Sequence, residues 1–153
     1  MLIAATEKGI CTIQFADTDD ELERGLRHEF PFAVRRRDDA AMQTWKENLL
    51  RQMHGYKLRS SLPLDIQATA FQRRVWTQLQ SIPFGATRSY AQVAKAIGQP
   101  TATRAVARAC ATNPVAVLIP CHRVVRGTGE MGGYRWGAER KEKLLAKEQE
   151  PRT

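Results

Sequence analysis

The 153-residue chain has few residues able to form disulfides or bind metals: three cysteines, Cys11, Cys110 and Cys121, and three histidines, His28, His54 and His122. The cysteine count is odd, no Cys-x-x-Cys pair occurs and the histidines are scattered, which argues against a disulfide framework or a metal cluster. No disulfide, metal or other cofactor is expected. Long apolar runs are also missing: nothing approaches the roughly 20 residues of a membrane span. The start, Met1-Leu2-Ile3-Ala4-Ala5-Thr6, lacks the charged and apolar regions of a signal peptide. A soluble monomer in the reducing cytoplasm, with no membrane partner, is the resulting expectation. Acidic residues are scarce beyond residue 70. Residues 1–70 carry 10 basic and 11 acidic side chains, and residues 71–153 carry 14 and 5, so the net charge of +8 arises wholly in the later part. A basic face of that size favours a polyanion, nucleic acid before membrane because no amphipathic anchor accompanies it. A merely solvated basic face is the alternative.

The 42% hydrophobic content suffices for one compact domain or two small subdomains. Residues 1–6 and 9–15 read as a hairpin around Glu7-Lys8-Gly9, with Cys11, Ile13 and Phe15 alternating on one face. Leu22, Leu26 and Phe30 recur every fourth residue, which predicts a helix begun by the acidic residues 17–21 and stopped by Pro31. Arg35-Arg36-Arg37-Asp38-Asp39 reads as an exposed connection. Trp45, Leu49 and Met53 mark a second helix ending near Gly55, and residues 57–63 form the joint between halves. The expected fold is α/β (α+β): a small, near-neutral α/β subdomain over residues 1–64, without a catalytic constellation and in a supporting role, then a mainly helical domain over residues 65–153.

Thr69-Ala70-Phe71-Gln72 is a capping box ahead of Phe71, Val75 and Leu79, predicting a helix to about residue 81, closed by Pro83 and Gly85. Ser89-Tyr90-Ala91-Gln92 is a second box, ahead of Val93, Ala94 and Ile97 and before Gly98 and Pro100. Thr101 or Thr103 then opens a helix over residues 102–111. Two short helices across a Gly-containing turn suggest a helix-turn-helix whose second helix faces DNA. Ala102, Ala105, Ala107 and Ala109 keep that helix low enough to approach a groove, while Arg104 and Arg108 project charge from adjacent turns.

The apolar run over residues 115–119 reads as a buried strand, and it ends in Pro120-Cys121-His122-Arg123-Val124-Val125. A free thiol has a pKa of about 8.5, so it needs a base or a positive field to ionise at neutral pH. His122 is the adjacent base. Two roles stay open for Cys121, a reactive thiol or a structural core residue. On a regular strand neighbouring side chains point to opposite faces, so only a sharp turn after Pro120 or a bridging water would couple the two.

That motif, with Gly132-Gly133-Tyr134-Arg135-Trp136-Gly137 and Lys143-Leu144-Leu145, closely resembles the O6-alkylguanine-DNA alkyltransferases, and among them the carboxy-terminal domain of the bacterial adaptive-response (Ada) proteins. The resemblance is specific over residues 69–148 and looser over residues 2–65. It implies that the protein flips O6-alkylguanine out of duplex DNA and transfers the alkyl group irreversibly to Cys121, once per molecule and without a cofactor. By the same resemblance His122 draws the thiol proton through a water, and Glu148 holds and polarises the imidazole. Tyr90 hydrogen-bonds the base and stabilises the departing guanine. Backbone groups around Val124 and Arg135 meet the polar edge of the base, with the Arg135 side chain incidental, and Tyr134 packs over the lesion. Arg104 is the finger that fills the vacated stack while the alanine-rich helix lies in the minor groove. Asn113 fixes the turn leading to the cysteine, and Arg108 and Arg126 are candidates for phosphate contact.

The adaptive-response regulatory module is absent from these residues, so its activity is not implied. Some relatives bind zinc in the first half, but Cys11, His28 and His54 do not make a full ligand set. The rival readings are a DNA-binding or lesion-sensing module without chemistry, against which Cys121 argues, and a cysteine hydrolase, which would turn over repeatedly.

Overall fold

The computed structural model describes residues 1–58 and 61–151, so the joint expected over residues 57–63 lies partly outside the described residues. The elements are β1 (Leu2–Thr6), β2 (Gly9–Gln14), α1 (Asp19–Glu29), α2 (Asp39–Met53), α3 (Ala70–Gln80), β3 (Arg88–Ser89), α4 (Tyr90–Ala96), α5 (Thr103–Ala111), a 3-10 turn (Cys121–Arg123), β4 (Val124–Val125) and α6 (Ala138–Gln149). Strands β1 and β2 pair antiparallel and β3 and β4 pair in parallel, giving two small sheets among the helices, as the α+β expectation required.

Local chemistry sets several helix starts. The Thr69 hydroxyl accepts from Gln72 N while the Gln72 side chain accepts from Thr69 N, and Ser89 and Gln92 repeat the exchange, so both foreseen capping boxes are formed. Thr18 and Glu21 make a third at α1, whose acidic first turn suits the positive end of the helix dipole. At α5 neither threonine is the cap. The N-cap position falls on Ala102, which has no side-chain oxygen to offer.

The hairpin departs from simple alternation. Ala4 pairs with Thr12 and Ala5 with Ile10, which leaves Cys11 as the extra residue of a β-bulge. The bulge resets the faces, so Ile10, Thr12 and Ile13 are all buried and Cys11 is only half-buried. The far edge of β2 is occupied at both ends. Ile10 N donates to Pro63 O and Asp65 N to Ile10 O, while Ile13 N donates to Pro114 O and Ala116 N to Ile13 O. The amino-terminal hairpin therefore grips the segment that leads to Cys121.

Residues 115–119 are buried, but they are not the strand the apolar run suggested. The chain doubles back on itself, with Leu118 N donating to Ala116 O and Ile119 N to Val115 O. Val117 sits at φ 71, a left-handed conformation that β-branched residues avoid, held by the packing around it.

One apolar core joins Ile10, Ile13 and Leu49 to Val75, Leu79, Val93, Val106, Val115, Ile119 and Val124. Each such aliphatic side chain contributes about 1.5–3 kcal/mol on burial. Helices α4 and α5 turn at Gly98, whose φ of 75 favours glycine, and α3 braces them through Trp76 Nε1, which donates to Ala109 O at 2.9 Å.

Candidate active site

Pro120 ends the doubled-back loop, and the next three residues form the 3-10 turn that carries Cys121, His122 and Arg123. The sharp turn that coupling required is thus present, and the strand argument against a Cys–His pairing does not apply. Cys121 is 3% exposed. Its Sγ lies 3.2 Å from Asn113 Nδ2, which also donates to Ile119 O at 2.8 Å, while Asn113 Oδ1 accepts from Val115 N at 2.9 Å. One buried amide thus closes the loop and places a donor on the sulfur. Burial pushes the Cys121 thiol up, and the Asn113 hydrogen bond together with the Lys141 and Arg135 cations opposes that rise.

His122 is 1% exposed, and its Nε2 lies 2.7 Å from Glu148 Oε1. Facing a carboxylate, Nε2 is assigned the proton, which leaves Nδ1 as the acceptor. Nδ1 has no hydrogen-bond partner among the described residues. Burial lowers the His122 pKa and Glu148 offsets this only in part, so the ring is neutral at neutral pH. Glu148, on the inner face of α6, also receives Arg123 Nε and Nη2 at 3.0 to 3.1 Å and Gly85 N at 2.9 Å. Burial works against this carboxylate, yet the donors from His122, Arg123 and Gly85 outweigh it and hold its pKa down to about 2. Arg123 completes its own bonding through Nη1 to Ile82 O at 2.8 Å.

Two members of this cluster escaped the sequence reading. Arg123 stands within the cysteine motif, and nothing local in the sequence marks its guanidinium as turned inward. Lys141 is fully buried, its Nζ donating to Val124 O at 2.6 Å and Gly133 O at 3.1 Å and lying 5.9 Å from the Tyr90 ring centre. A signal for it existed: Lys141, Leu144, Leu145 and Glu148 share one helical stripe, with the leucines partly buried and both charges inside.

Tyr90, at the start of α4, is half-buried, and burial raises its pKa to about 12, so its hydroxyl stays protonated. Gly132 lies against it at φ 71, where a Cβ would come within 3.0 Å of Tyr90 Oη. Tyr134 packs edge-to-face on Trp136 at 5.3 Å, and its buried hydroxyl has no partner among the described residues. The Val124 amide donates to Cys121 O, and its carbonyl, held by Lys141, keeps a second lone pair. The Arg135 side chain is tied into the fold. It donates to Asn113 O at 3.0 Å and stacks on the Trp136 ring at 5.3 Å.

Helix α5 turns Val106, Ala109 and Cys110 inward. Arg104 and Arg108 lie on the opposite, exposed stripe with no side-chain hydrogen bond or ion pair among the described residues, and the partly exposed Ala102 and Ala105 lie beside them. Arg126 pairs with Glu130 at 3.5 Å on the surface. Among the described residues no three His, Cys, Asp or Glu side chains gather to hold a metal ion, and no helix is long and apolar enough to cross a membrane. All three cysteines are free thiols.

The profile of the 6-O-methylguanine DNA methyltransferase DNA-binding domain matches residues 70–150, which contain the helix-turn-helix and the whole buried cluster. The chain is 48% identical over 149 residues to the Bifunctional transcriptional activator/DNA repair enzyme Ada of Escherichia coli, across 97% of this chain and 42% of that protein. It is 35% identical over 144 residues to the inducible Methylated-DNA--protein-cysteine methyltransferase of Bacillus subtilis, across 94% of this chain and 80% of that one. The fold superposes on the crystal structure of Mycobacterium tuberculosis OGT in complex with DNA at a TM-score of 0.76, with 32% identity over 96% of this chain and 84% of the other. The O6-methylguanine-DNA methyltransferase of Pyrococcus kodakaraensis strain KOD1 gives 0.72, with 25% identity over 97% and 89%. The chain spans between 42% and 57% of the length of four curated relatives, two of them Ada proteins. A profile match over more than half of the residues, on a fold that places a buried thiol beside a carboxylate-held imidazole, makes this chain a member of the 6-O-methylguanine DNA methyltransferase family.

Proposed function

We propose that this protein rotates an O6-alkylated guanine out of duplex DNA and takes the alkyl group permanently onto Cys121, one transfer per molecule. The observation that carries the reading is the buried His122–Glu148 pair, which leaves Nδ1 of the residue next to Cys121 in the chain without a partner among the described residues and able to accept a proton. His122 takes the thiol proton through a bridging water, and Glu148 steadies the imidazolium that forms. The sulfur attacks the alkyl carbon in line with the carbon–oxygen bond. The S–C bond forms as the C–O bond breaks, and its electron pair stays on guanine O6. The protonated Tyr90 hydroxyl donates to the guanine anion. The Val124 carbonyl and Arg135 amide read the polar edge of the base, Tyr134 covers it, and Asn113 keeps its amide on the sulfur. No cofactor enters.

Flipping a base costs a few kcal/mol, less for a weakly paired lesion. Arg104 fills the gap in the stack, Ala102 and Ala105 let α5 approach the minor groove, and Arg108 and Arg126 meet phosphates. Residues 1–64 serve as the support, and the chain from residue 65 on as the DNA-binding and acceptor domain. The reading places the protein in the cytoplasm, where its thiols stay reduced, and makes it a monomer, since one chain supplies every group named.

Incubation with duplex containing O6-methylguanine, followed by intact and peptide mass measurement, tests the proposal. One methylene's mass is expected on the Cys121 peptide and none in Cys121→Ser. An unchanged mass with tight binding would make the protein a lesion-sensing module, and repeated turnover a hydrolase.

A further inference from the structure

A line of contacts leaves Cys121 in a direction the proposed mechanism does not use. Asn113, whose amide sits on the sulfur, has its own carbonyl held by Arg135 Nη1 at 3.0 Å. Arg135 Nη2 lies 3.5 Å from Oε2 of Glu29, the last residue of α1. That oxygen also accepts from Gln14 Nε2, and Thr12 Oγ1 lies 3.3 Å away. Thr12 Oγ1 and Ile13 N in turn meet Pro114 O at 3.0 and 2.9 Å. The carbonyls of both Asn113 and Pro114, at the root of the cysteine loop, are therefore held by groups that the amino-terminal region supplies or anchors.

We infer that Glu29 and the Arg135 side chain are positioning residues for Cys121: they fix the Asn113 carbonyl, and thereby keep the Asn113 amide aimed at the sulfur. The inference rests on the reading above only in taking Cys121 as the nucleophile. The guanidinium suits the task because its planar fork can serve the carbonyl and the carboxylate together while its face lies on Trp136. The Glu29–Arg135 pair is partly exposed, so its contribution to stability is small and its effect is on geometry.

Tyr90 on α4, Cys110 on α5, Lys141 on α6, and Tyr134 and Arg135 on the loop before α6 face the sulfur. Among the influences that oppose the burial of Cys121, the Asn113 hydrogen bond comes first. Loosening Asn113 must therefore make the thiol harder to ionise. This gives the test a sign. Removing the negative charge of Glu29 would by simple electrostatics ease ionisation, whereas loss of positioning opposes it.

The experiment follows alkylation of Cys121 by iodoacetamide against pH in the full chain, with peptide mass separating Cys121 from Cys11 and Cys110. In Glu29→Met and Arg135→Met the midpoint is expected to rise, slowing the reaction at neutral pH by about three- to tenfold. The double variant should be no slower than the slower single, and Arg135→Lys, which reaches one partner at a time, should fall between. An unmoved or lowered midpoint in Glu29→Met, or additive losses in the double variant, overturns the inference. If Glu29→Met does not fold, Glu29→Gln takes its place, with a smaller rise of the same sign expected and an unmoved midpoint again overturning the proposal. Wild-type protein is also offered duplex containing O6-methylguanine. Failure to accept the methyl group sinks the nucleophile reading, whereas acceptance with unmoved variants sinks only the positioning role.

Discussion

The residues before 65 and those after it differ in what they bury. The earlier region contributes Ile10, Ile13, Leu22 and Leu49 to the interior, with Thr12 and Gln14 as its buried polar residues. The later region buries Asn113, His122, Arg123, Lys141 and Glu148 as well as its share of the core. Burying charge costs several kcal/mol per ion unless partners repay the lost water, so the contrast shows where the fold accepts that cost. Glu148 is repaid by His122, Arg123 and Gly85, and Lys141 by two carbonyls. The buried side-chain atoms left without partners among the described residues are Gln52 Oε1, His122 Nδ1 and Tyr134 Oη, the last two in the later region. The later region thus keeps its buried charges satisfied and leaves His122 Nδ1 and Tyr134 Oη open, while the earlier one buries mainly apolar side chains.

That contrast can be broken most directly at Glu148. Glu148→Gln leaves Arg123 buried without its counter-charge, so unfolding free energy should fall by about 3–5 kcal/mol in urea titration, and alkyl transfer should slow at least tenfold. A purely packing region should behave differently. Leu49→Ala is expected to cost about 3 kcal/mol, with the rate of transfer per folded molecule unchanged. If transfer fell as much as in Glu148→Gln, the division of labour would not hold.

Acid sharpens the same comparison. Glu148, held near 2 against an ordinary 4.5, contributes stability that is complete above about pH 4.5 and is lost as the pH falls toward 2. His122 is depressed below its ordinary 6.5, so the unfolded chain takes up that proton first and stability also falls as the pH drops below 6.5. Stability of the wild type should therefore fall between pH 7 and pH 4 in denaturation measurements. In Glu148→Gln the part that begins below pH 4.5 should vanish, while the part that begins at 6.5 should grow because His122 loses the carboxylate that supports its charged form. Arg104→Ala should leave stability untouched and slow repair in duplex DNA by about tenfold, since base flipping is worth a few kcal/mol. Transfer from a free benzylated guanine should not change, and equal losses on both substrates would remove the finger role.

How much was legible depended on the range of the interaction. The capping boxes at Thr69 and Ser89 rest on contacts within four residues, and the sequence displays them directly, whereas Ala109, expected on the groove side of α5, is turned into the core with Val106 and Cys110. The cysteine motif was legible because a thiol, an imidazole and a proline stand together. Cys11 was misplaced because a bulge depends on the partner strand, and residues 115–119 were misread because apolar runs look alike as strands and as buried loops. Arg123 and the Glu29–Arg135 contact were invisible because their partners lie 25 and 106 residues away.

By itself the sequence determined the capped starts at Thr69 and Ser89, the one-sided basic charge and the chemistry available at Cys121, since these follow from neighbours along the chain and from composition. Tertiary structure alone decided which charges go inside, which atom of His122 stays open, and how an amino-terminal helix comes to brace the cysteine loop. The physical reason is that desolvation and hydrogen-bond closure are properties of the assembled interior, where each buried charge persists only because residues distant in sequence converge upon it.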